Sequence, residues 1–198
     1  MRPKTVSRKR SPQKPPSQEA FYEIAVRALA RRARSSGEVR EILRKKKAAK
    51  ADIEAVIARL REYGYLDDAR FARAFVASRM ENDLHGKARV RRDLAAHRVH
   101  PEIAEQAVER GYQGTDETQL LRRYLARKVR LSKPLDKPSH LASLYRRLLR
   151  AGFRSATIVA ELKRLRRWAF SKGSAEPFPW DEFFDSLPET PEEESEAG

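Results

Sequence analysis

Helix signals recur along this chain at a nearly constant spacing, and that spacing constrains the fold more than any other feature. Apolar residues follow the i, i+3, i+4, i+7 pattern of a helix with one buried face, as at Ile53, Val56, Ile57 and Leu60. The predicted starts of the first, second and third helices are, in turn, Glu19, Asp68 and Asp116; Glu38, Gly86 and His140; and Asp52, Pro101 and Ala156. The first-helix starts are 49 and 48 residues apart, and a constant period of this size indicates tandem structural repeats.

Strand signals are absent from the sequence, which has no alternating β-branched run and no Asn-Gly or Asp-Gly hairpin turn. The sequence therefore predicts an all-α protein of three tandem three-helix, helix-turn-helix-like repeats in an elongated, curved array. A compact nine-helix globule is the alternative that the pattern leaves open.

Local capping signals support the predicted helix ends. Ser17, Asp67 and Thr115 are expected to cap the three first helices, and Ser155 the last long helix, since their side-chain oxygens accept hydrogen bonds from unpaired backbone N–H groups. Three further signals are the capping box of Ser35 with Glu38, Pro101 at a first helical position, and Gly64 and Gly111 as left-handed residues after the third helices.

Composition and charge divide the chain into a folded body and two tails. Residues 1–18 carry six Lys/Arg and no acid, whereas residues 171–198 carry nine Asp/Glu against one Lys. Both segments have too little apolar surface to offset the entropy of ordering, so we expect both to be flexible. The predicted layout is a basic, Pro-rich tail (1–18), repeat 1 (19–66), repeat 2 (67–114), repeat 3 (115–170) and an acidic tail (171–198).

The segment "YGYLDDARFARAFVASR" (63–79) joins the first two repeats. Its Gly turn and paired acids are expected to form a structural joint in which a helix ends, Leu66 staples the next helix and an Asp caps it. The joint residues are Gly64, Tyr65, Leu66, Asp67 and Asp68. In the helix that follows, Phe71 and Phe75 fall on the buried face, whereas Arg70, Arg73 and Arg79 flank or oppose it and are candidate contacts to a partner.

The next helix, "GKARVRRDLAAHRV" (86–99), has Val90, Leu94 and His97 on its buried seam. Three cations, Lys87, Arg91 and Arg98, fall along one edge, and Arg89 and Arg92 add charge on other sides. A second basic cluster contains Arg146, Arg147 and Arg150. Cations stacked along an edge suit a phosphate backbone or an acidic protein groove, and a merely solvated helix face is the alternative. The formal net charge of +15 favours a polyanionic partner.

The chain lacks the motifs of the common enzyme classes. It has no cysteine, no P-loop, no G-x-S-x-G or H-E-x-x-H motif, and no third ligand spaced to join His97 and His100 at a metal. We therefore expect no enzymatic activity, no cofactor and no metal. No apolar run approaches the ~18 residues that span a bilayer, and residues 1–18 are not a secretory signal, so we expect a cytoplasmic protein that makes no membrane contact.

Four segments resemble the RecX family, regulators of the RecA recombinase. They are "ALARRARSSGEVREILRKK" (28–46), "YGYLDDARFARAFVASR" (63–79), "HGKARVRRDLAAHRV" (85–99) and "LYRRLLRAGFRSATIVAEL" (144–162). The resemblance implies tandem three-helix repeats without catalytic activity that bind in the groove of the RecA–single-stranded-DNA filament. It also implies inhibition of filament growth, ATP hydrolysis, strand exchange and co-protease function, which damps recombination and the SOS response.

Partner contact is carried over from the family onto the basic residues of the central repeat, Arg70, Arg73, Arg79, Lys87, Arg89, Arg91, Arg92 and Arg98. The expected partners are the RecA filament and single-stranded DNA, with double-stranded DNA a further candidate, and we expect a monomer. The family pattern does not extend to the two tails.

Two rival functions stay open, a stand-alone basic helical DNA- or RNA-binding protein and a scaffold for an acidic protein. The predicted third-helix starts are acidic or apolar, which is poor equipment for reading bases in a major groove. In the acidic tail, Trp180, Phe183, Phe184 and Leu187 have helical spacing. That segment is expected either to fold back on the basic body and compete with DNA, to dock on another protein, or to stay disordered.

Overall fold

A computed structural model describes residues 17–129, 138–170 and 180–186, and no strand occurs within these ranges. The all-α prediction is confirmed. The helices are α1 (Gln18–Arg31), α2 (Ser36–Lys45), α3 (Lys50–Glu62), α4 (Asp68–Ser78), α5 (Lys87–Ala96), α6 (Pro101–Gly111), α7 (Glu117–Lys128), α8 (Pro138–Arg150), α9 (Ser155–Phe170) and α10 (Trp180–Asp185), with a π-helical turn at Arg79–Asp83 after α4. The chain divides into two compact units, residues 1–67 and 68–198.

The first unit packs α1, α2 and α3 around its own apolar core. Phe21 and Ala25 of α1 meet Leu43 of α2 and Leu60 of α3 in this core. Leu66, which was expected to staple α4, is instead buried with these residues. Burial of these side chains supplies the stabilisation that makes short helices of 10–14 residues persist.

Two helix starts in this unit have the caps that the sequence predicts. Ser17 accepts a 3.3 Å hydrogen bond from the Ala20 N–H at the start of α1. Ser35 and Glu38 form the complete capping box of α2, with each side chain accepting from the other residue's backbone N–H at 3.0 and 3.2 Å. These bonds satisfy donors that a helix start otherwise leaves unpaired.

The second unit has one continuous core that runs from α4 to α10. Leu94 of α5, Leu121 of α7, Leu148 of α8 and Ile158 of α9 are all fully buried in it. The predicted repeats 67–114 and 115–170 therefore share a single core. Gly111 contributes to the α4–α6 packing, because a Cβ there would lie 2.5 Å from the Val76 methyl Cγ1.

Three predicted helix ends in this unit differ from the structure. Gly111 is the last helical residue of α6, and the left-handed residue is Gly114, with φ +72°. Asp116, not Thr115, caps α7 by accepting from the Thr118 N–H at 2.8 Å. Ser155 lies inside α9, and its hydroxyl bonds to the Tyr145 hydroxyl at 2.8 Å. Asp116 offers the same capping chemistry as Thr115 one residue later, and the Ser155 hydroxyl is instead engaged by Tyr145.

The start of α5 lies directly against the turn between α8 and α9. The Gly86 N–H donates a 2.8 Å hydrogen bond to the Ala151 carbonyl, and the Ala88 N–H donates to the Gly152 carbonyl at 3.4 Å. A Cβ on Gly86 would collide with the Gly152 carbonyl and lie 2.8 Å from the Phe153 nitrogen. Two glycines thus permit a contact between backbones that no other residue type allows without a shift.

The short helix α10 carries Phe184 into the core of the second unit, where it is 3% exposed. The Lys163 ammonium of α9 lies 5.3 Å from the Phe184 ring centroid. Residues 180–185 therefore form a helix where the sequence predicts a flexible acidic tail. The other predictions for the tails, Leu187 and the "SKPLDKPS" connection (132–139) fall wholly or mainly outside the described residues. Among the described helices, none is long and apolar enough to cross a bilayer.

Candidate nucleic-acid interface

The predicted arginines of α4 lie in different environments. Arg70 and Arg73 are exposed, and Arg73 makes no ion pair within the described ranges. Arg79 is partly buried instead, with its Nη1 donating to the Asp83 carboxylate at 2.6 Å and its guanidinium 4.7 Å from the Phe75 ring centroid. Arg79 is the first residue of the π-helical turn and pairs with Asp83, the last residue of that turn. The prediction placed its side chain in solvent, free to contact a partner.

The basic edge of α5 is engaged by acids of α6. The Lys87 Nζ donates to the Glu109 carboxylate at 2.9 Å. Arg91 makes two 2.7 Å hydrogen bonds to Glu105 and a third of 2.8 Å to Glu109. The hydrogen bond from Arg91 lowers the pKa of Glu105, and the same bond raises the pKa of Arg91. Both cations keep 39% of their side chains exposed, so the pairs are weak enough for a polyanion to compete with them.

These acids could have been recognised in the sequence. Glu105 and Glu109 are four residues apart on α6, the spacing that places two side chains on one helix face. The prediction that Lys87 and Arg91 lie on one edge of the helix considered that helix alone, whereas their pairing depends on the packing of α6 beside α5.

The other predicted cations of α5 have three different roles. The Arg89 Nε lies 2.9 Å from the Asp93 carboxylate one turn on. Arg92 donates from Nη2 to the Arg150 carbonyl at 3.0 Å and so ties α5 to the end of α8. Arg98 follows α5 as an exposed residue in the left-handed conformation, with φ +56°.

All three arginines of the third-repeat cluster are exposed. Arg146, Arg147 and Arg150 all face solvent on α8. Arg147 donates from Nη2 to the Lys128 carbonyl at the end of α7, which fixes its direction. The Arg150 backbone carbonyl accepts the hydrogen bond from Arg92, and Arg92 makes no ion pair within the described chain.

In the joint after α3 the backbone is held by hydrogen bonds, whereas the side chain of Tyr65 is exposed. Gly64 has φ +68°, and the N–H groups of Tyr65 and Leu66 both donate to the Leu60 carbonyl, at 2.9 and 3.2 Å. The Tyr65 side chain, however, is 57% exposed, so its ring adds nothing to the core of the joint. Asp68 begins α4, with its acid at the positive end of the helix dipole, and Asp67 precedes it.

His97 is partly buried against two phenylalanines, on the side of α5 that the apolar seam predicts. Its ring centroid lies 5.7 Å from that of Phe71 and 5.0 Å from that of Phe75, both edge-on. Both phenylalanines pack against the core while remaining partly exposed. In the described part of the chain no group of three His, Cys, Asp or Glu side chains is placed to hold a metal ion.

A cleft of about 640 Å³ opens where α5 begins beside the α8–α9 turn. Cations and acids both line it, and Glu117 is engaged there by the Arg154 N–H at 3.0 Å and by the Thr157 hydroxyl at 3.0 Å. Tyr112 closes one side with a 2.6 Å hydrogen bond from its hydroxyl to the His85 carbonyl, and burial raises the pKa of that hydroxyl. The acids of this cleft are held by neighbouring cations, an arrangement that stabilises the wall rather than positioning a proton donor.

Sequence reasoning missed one basic surface, the turn between α2 and α3. Five cations lie on or beside it, all of them exposed: Arg44, Lys45, Lys46, Lys47 and Lys50. Glu41 neutralises part of this charge through Arg44 at 2.6 Å. Lys46 and Lys47 make no ion pair within the described chain. The run "RKKKAAK" (44–50) was the available signal.

Consecutive three-helix units, α1–α3 and then α4–α6, define an all-α helical-repeat protein. Two family models match consecutive segments of the chain: "RecX, first three-helix domain" over residues 22–60 and "RecX, second three-helix domain" over residues 67–108. The chain belongs to the RecX family.

Similarity to individual proteins agrees with this assignment. "Regulatory protein RecX" of Treponema pallidum (strain Nichols) is 32% identical over 133 residues, which is 64% of this chain and 81% of that protein. "Regulatory protein RecX" of Oceanobacillus iheyensis is 24% identical over 144 residues, 73% of this chain but about half (53%) of the relative's length. The crystal structure of RecX from Lactobacillus salivarius has the same fold, with a TM-score of 0.59 at 19% identity, covering 76% of this chain and 97% of that one.

Proposed function

We propose that this protein is a non-enzymatic regulator that binds the RecA–single-stranded-DNA filament. Binding inhibits the recombinase, ATPase and co-protease activities of RecA and so modulates DNA repair and the SOS response in the cytoplasm. The observation that carries the proposal is the match of two consecutive three-helix domains to the regulatory RecX family. Inhibition by occupancy of the filament needs no catalytic group on this protein.

Electrostatics supports a filament as the partner. The formal net charge is +15, and exposed cations occur on α4, on α8 and at the α2–α3 turn. A polyanion coated with protein attracts such a surface from a distance and raises the association rate, while the shape of the helical units supplies specificity. Binding is therefore expected to weaken steeply with salt, by several orders of magnitude between ~50 and ~200 mM if about six phosphates are neutralised.

The α5–α6 ion pairs suggest how the basic edge takes part. Lys87 and Arg91 stand half-exposed against Glu105 and Glu109, so a phosphate can approach each cation from the solvent side. The acids hold the long side chains in one orientation, which reduces the entropy lost when a ligand binds. They also compete with that ligand. Removal of a cation should weaken binding, and removal of an acid should strengthen it.

The test is RecA ATPase activity on single-stranded DNA with substoichiometric amounts of this protein. The wild type is expected to inhibit. A variant with Lys87, Arg91 and Arg98 changed to Ala is expected to lose most of that inhibition, and the matched variant Glu105→Gln/Glu109→Gln is expected to inhibit more strongly at the same concentration. Inhibition that neither variant changes would show that these ion pairs serve folding only.

A second candidate function is that of a stand-alone DNA- or RNA-binding protein, which the net charge of +15 also favours. Direct binding to labelled single-stranded DNA without RecA separates the two functions. Absence of any effect on RecA together with tight binding to naked DNA would overturn the regulatory proposal and support this candidate.

A further inference from the structure

The second and third helices of every repeat are joined by a turn of the same construction. In each turn one N–H donates back to the carbonyl three residues earlier, and the next N–H donates to the carbonyl five residues earlier. The first bond runs from Lys47 to Arg44 (2.9 Å), from Arg98 to Ala95 (2.8 Å) and from Gly152 to Leu149 (2.9 Å). The second runs from Ala48 to Leu43 (3.2 Å), from Val99 to Leu94 (3.1 Å) and from Phe153 to Leu148 (3.3 Å). Lys47, Arg98 and Gly152 are therefore equivalent positions.

All three positions are in the left-handed region, with φ of +60° at Lys47, +56° at Arg98 and +93° at Gly152. Glycine is the residue that this conformation favours, because a Cβ crowds the following carbonyl. At 152 glycine is also required by packing, since a Cβ there would lie 2.6 Å from the Arg89 Cβ and 2.7 Å from the Gly86 carbonyl oxygen. At 47 and 98 the turn faces solvent, and a long cation occupies the strained position.

We infer that Lys47 and Arg98 are phosphate contacts, one on the equivalent turn of each of the first two repeats. The inference rests on the proposed function, in which the polyanion is single-stranded DNA. Backbone strain at a solvent-facing residue indicates that its side chain has a use there. The tightly bonded turn fixes the Cα position, and a charge-assisted hydrogen bond from the ammonium or guanidinium suits a phosphate oxygen. Lys46 and Lys47, next to each other in the first of these turns, make no ion pair in the described chain.

Another explanation of these residues is local. Cations near a helix C-terminus interact favourably with its carbonyl end, which would make Lys47 and Arg98 stabilisers of α2 and α5. The two explanations predict opposite effects of glycine. A phosphate contact that is strained in the protein should give a variant with unchanged or raised Tm and weakened DNA binding, whereas a dipole contact should give a lowered Tm.

The experiment compares Lys47→Gly, Arg98→Gly and the double variant with the wild type. Binding to labelled oligothymidylate is measured by fluorescence anisotropy between about 50 and 300 mM salt, and Tm is measured in parallel. Each phosphate contact contributes about 0.7 to the slope of log K against log salt for single strands, so each single variant should lose that much slope and about fivefold in affinity near 100 mM salt. Arg27→Ala is the matched control, because it removes one exposed charge of the first unit that already pairs with Glu23.

The inference is overturned if both glycine variants keep the wild-type slope, if their loss equals that of Arg27→Ala, or if their Tm falls. RecA ATPase activity, measured on the same variants, separates this inference from the proposed function. Inhibition by all proteins with unchanged DNA slopes refutes the phosphate contacts and leaves the regulator intact. If the glycine variants have reduced salt slopes but the wild type does not inhibit RecA, the phosphate contacts are supported and the proposed regulatory function is refuted.

Discussion

Replacing Gly152 by alanine tests the backbone contact between α5 and the α8–α9 turn. Two separate costs arise at this position. The residue has φ +93°, in the region that L side chains rarely adopt, and the added Cβ would collide with the Arg89 backbone nitrogen. The Gly86 N–H bond to Ala151, 2.8 Å long, would be displaced by any shift that relieves the collision.

The magnitude follows from adding these costs. A left-handed non-glycine residue costs about 1–2 kcal/mol, and overpacking a rigid site costs about 1–3 kcal/mol. Gly152→Ala should therefore lower the free energy of unfolding of the second unit by about 2–5 kcal/mol. Two controls separate the terms. Gly114→Ala has φ +72° but open space around it and should show the backbone cost alone, whereas Gly86→Ala has an ordinary φ and should show the collision alone.

Urea denaturation followed by tryptophan fluorescence is a suitable assay, because both tryptophans of the chain, Trp168 and Trp180, belong to the second unit. The expected order of destabilisation is Gly152→Ala first, then Gly86→Ala and Gly114→Ala. If Gly152→Ala is no more destabilising than Gly114→Ala, the close approach of the two backbones is not a rigid constraint and the reasoning fails.

Two further predictions concern the second unit. Burial opposes ionisation of Glu161, which is 2% exposed, but hydrogen bonds from Arg164 and Arg122 outweigh it and keep the pKa of Glu161 below its ordinary value. The stabilisation of the folded state by ionised Glu161 is therefore present at neutral pH. It is lost as the pH falls below about 4.3 towards the lowered pKa of Glu161. Glu161→Gln should lower the free energy of unfolding by about 1.5–3 kcal/mol at pH 7. In urea melts, the difference in unfolding free energy between this variant and the wild type should shrink below about pH 4. A difference that stays constant with pH would contradict the ion-pair explanation. Phe184→Ala should detach α10 from its site beside Lys163. If the acidic helix shields the basic body, this variant should bind single-stranded DNA a few-fold more tightly at low salt, as measured by fluorescence anisotropy. Shielding is ruled out if the wild type, this variant and a truncation lacking 171–198 all bind with equal affinity.

Local signals predicted much of the fold. Every predicted helix start among the nine lies within two residues of the observed one, because caps and apolar periodicity act within a few residues of the chain. Gly64 and the Ser35–Glu38 capping box are confirmed for the same reason. The partly buried position of His97 also follows from the spacing of Val90 and Leu94 on one helix face.

Features that depend on packing between distant segments were not predictable in this way. The contact of Gly86 with Gly152 joins residues far apart in sequence, and neither glycine has a local signal that names its partner. The pairing of Arg91 with Glu105 required knowing that α6 lies beside α5.

In the candidate site, too, local features were predictable and features that depend on neighbouring helices were not. Helical geometry correctly placed Arg73 on the exposed face of α4, but it could not show which cations have acidic neighbours on other helices. The positions Lys47 and Arg98 were visible only after the backbone conformations of the three turns could be compared.

The single core from α4 to α10 has a consequence for the modularity of the chain. In a repeat protein whose units contact only their neighbours, a unit can be removed or duplicated with a limited effect on the rest. Here a cut near Gly114 would expose Leu120 and Leu121 together with the side chains packed on them, whereas a cut after Asp67 passes between two separate cores. Fragment design, domain fusion and insertion of tags should therefore treat residues 68–186 as indivisible and use the boundary at Asp67.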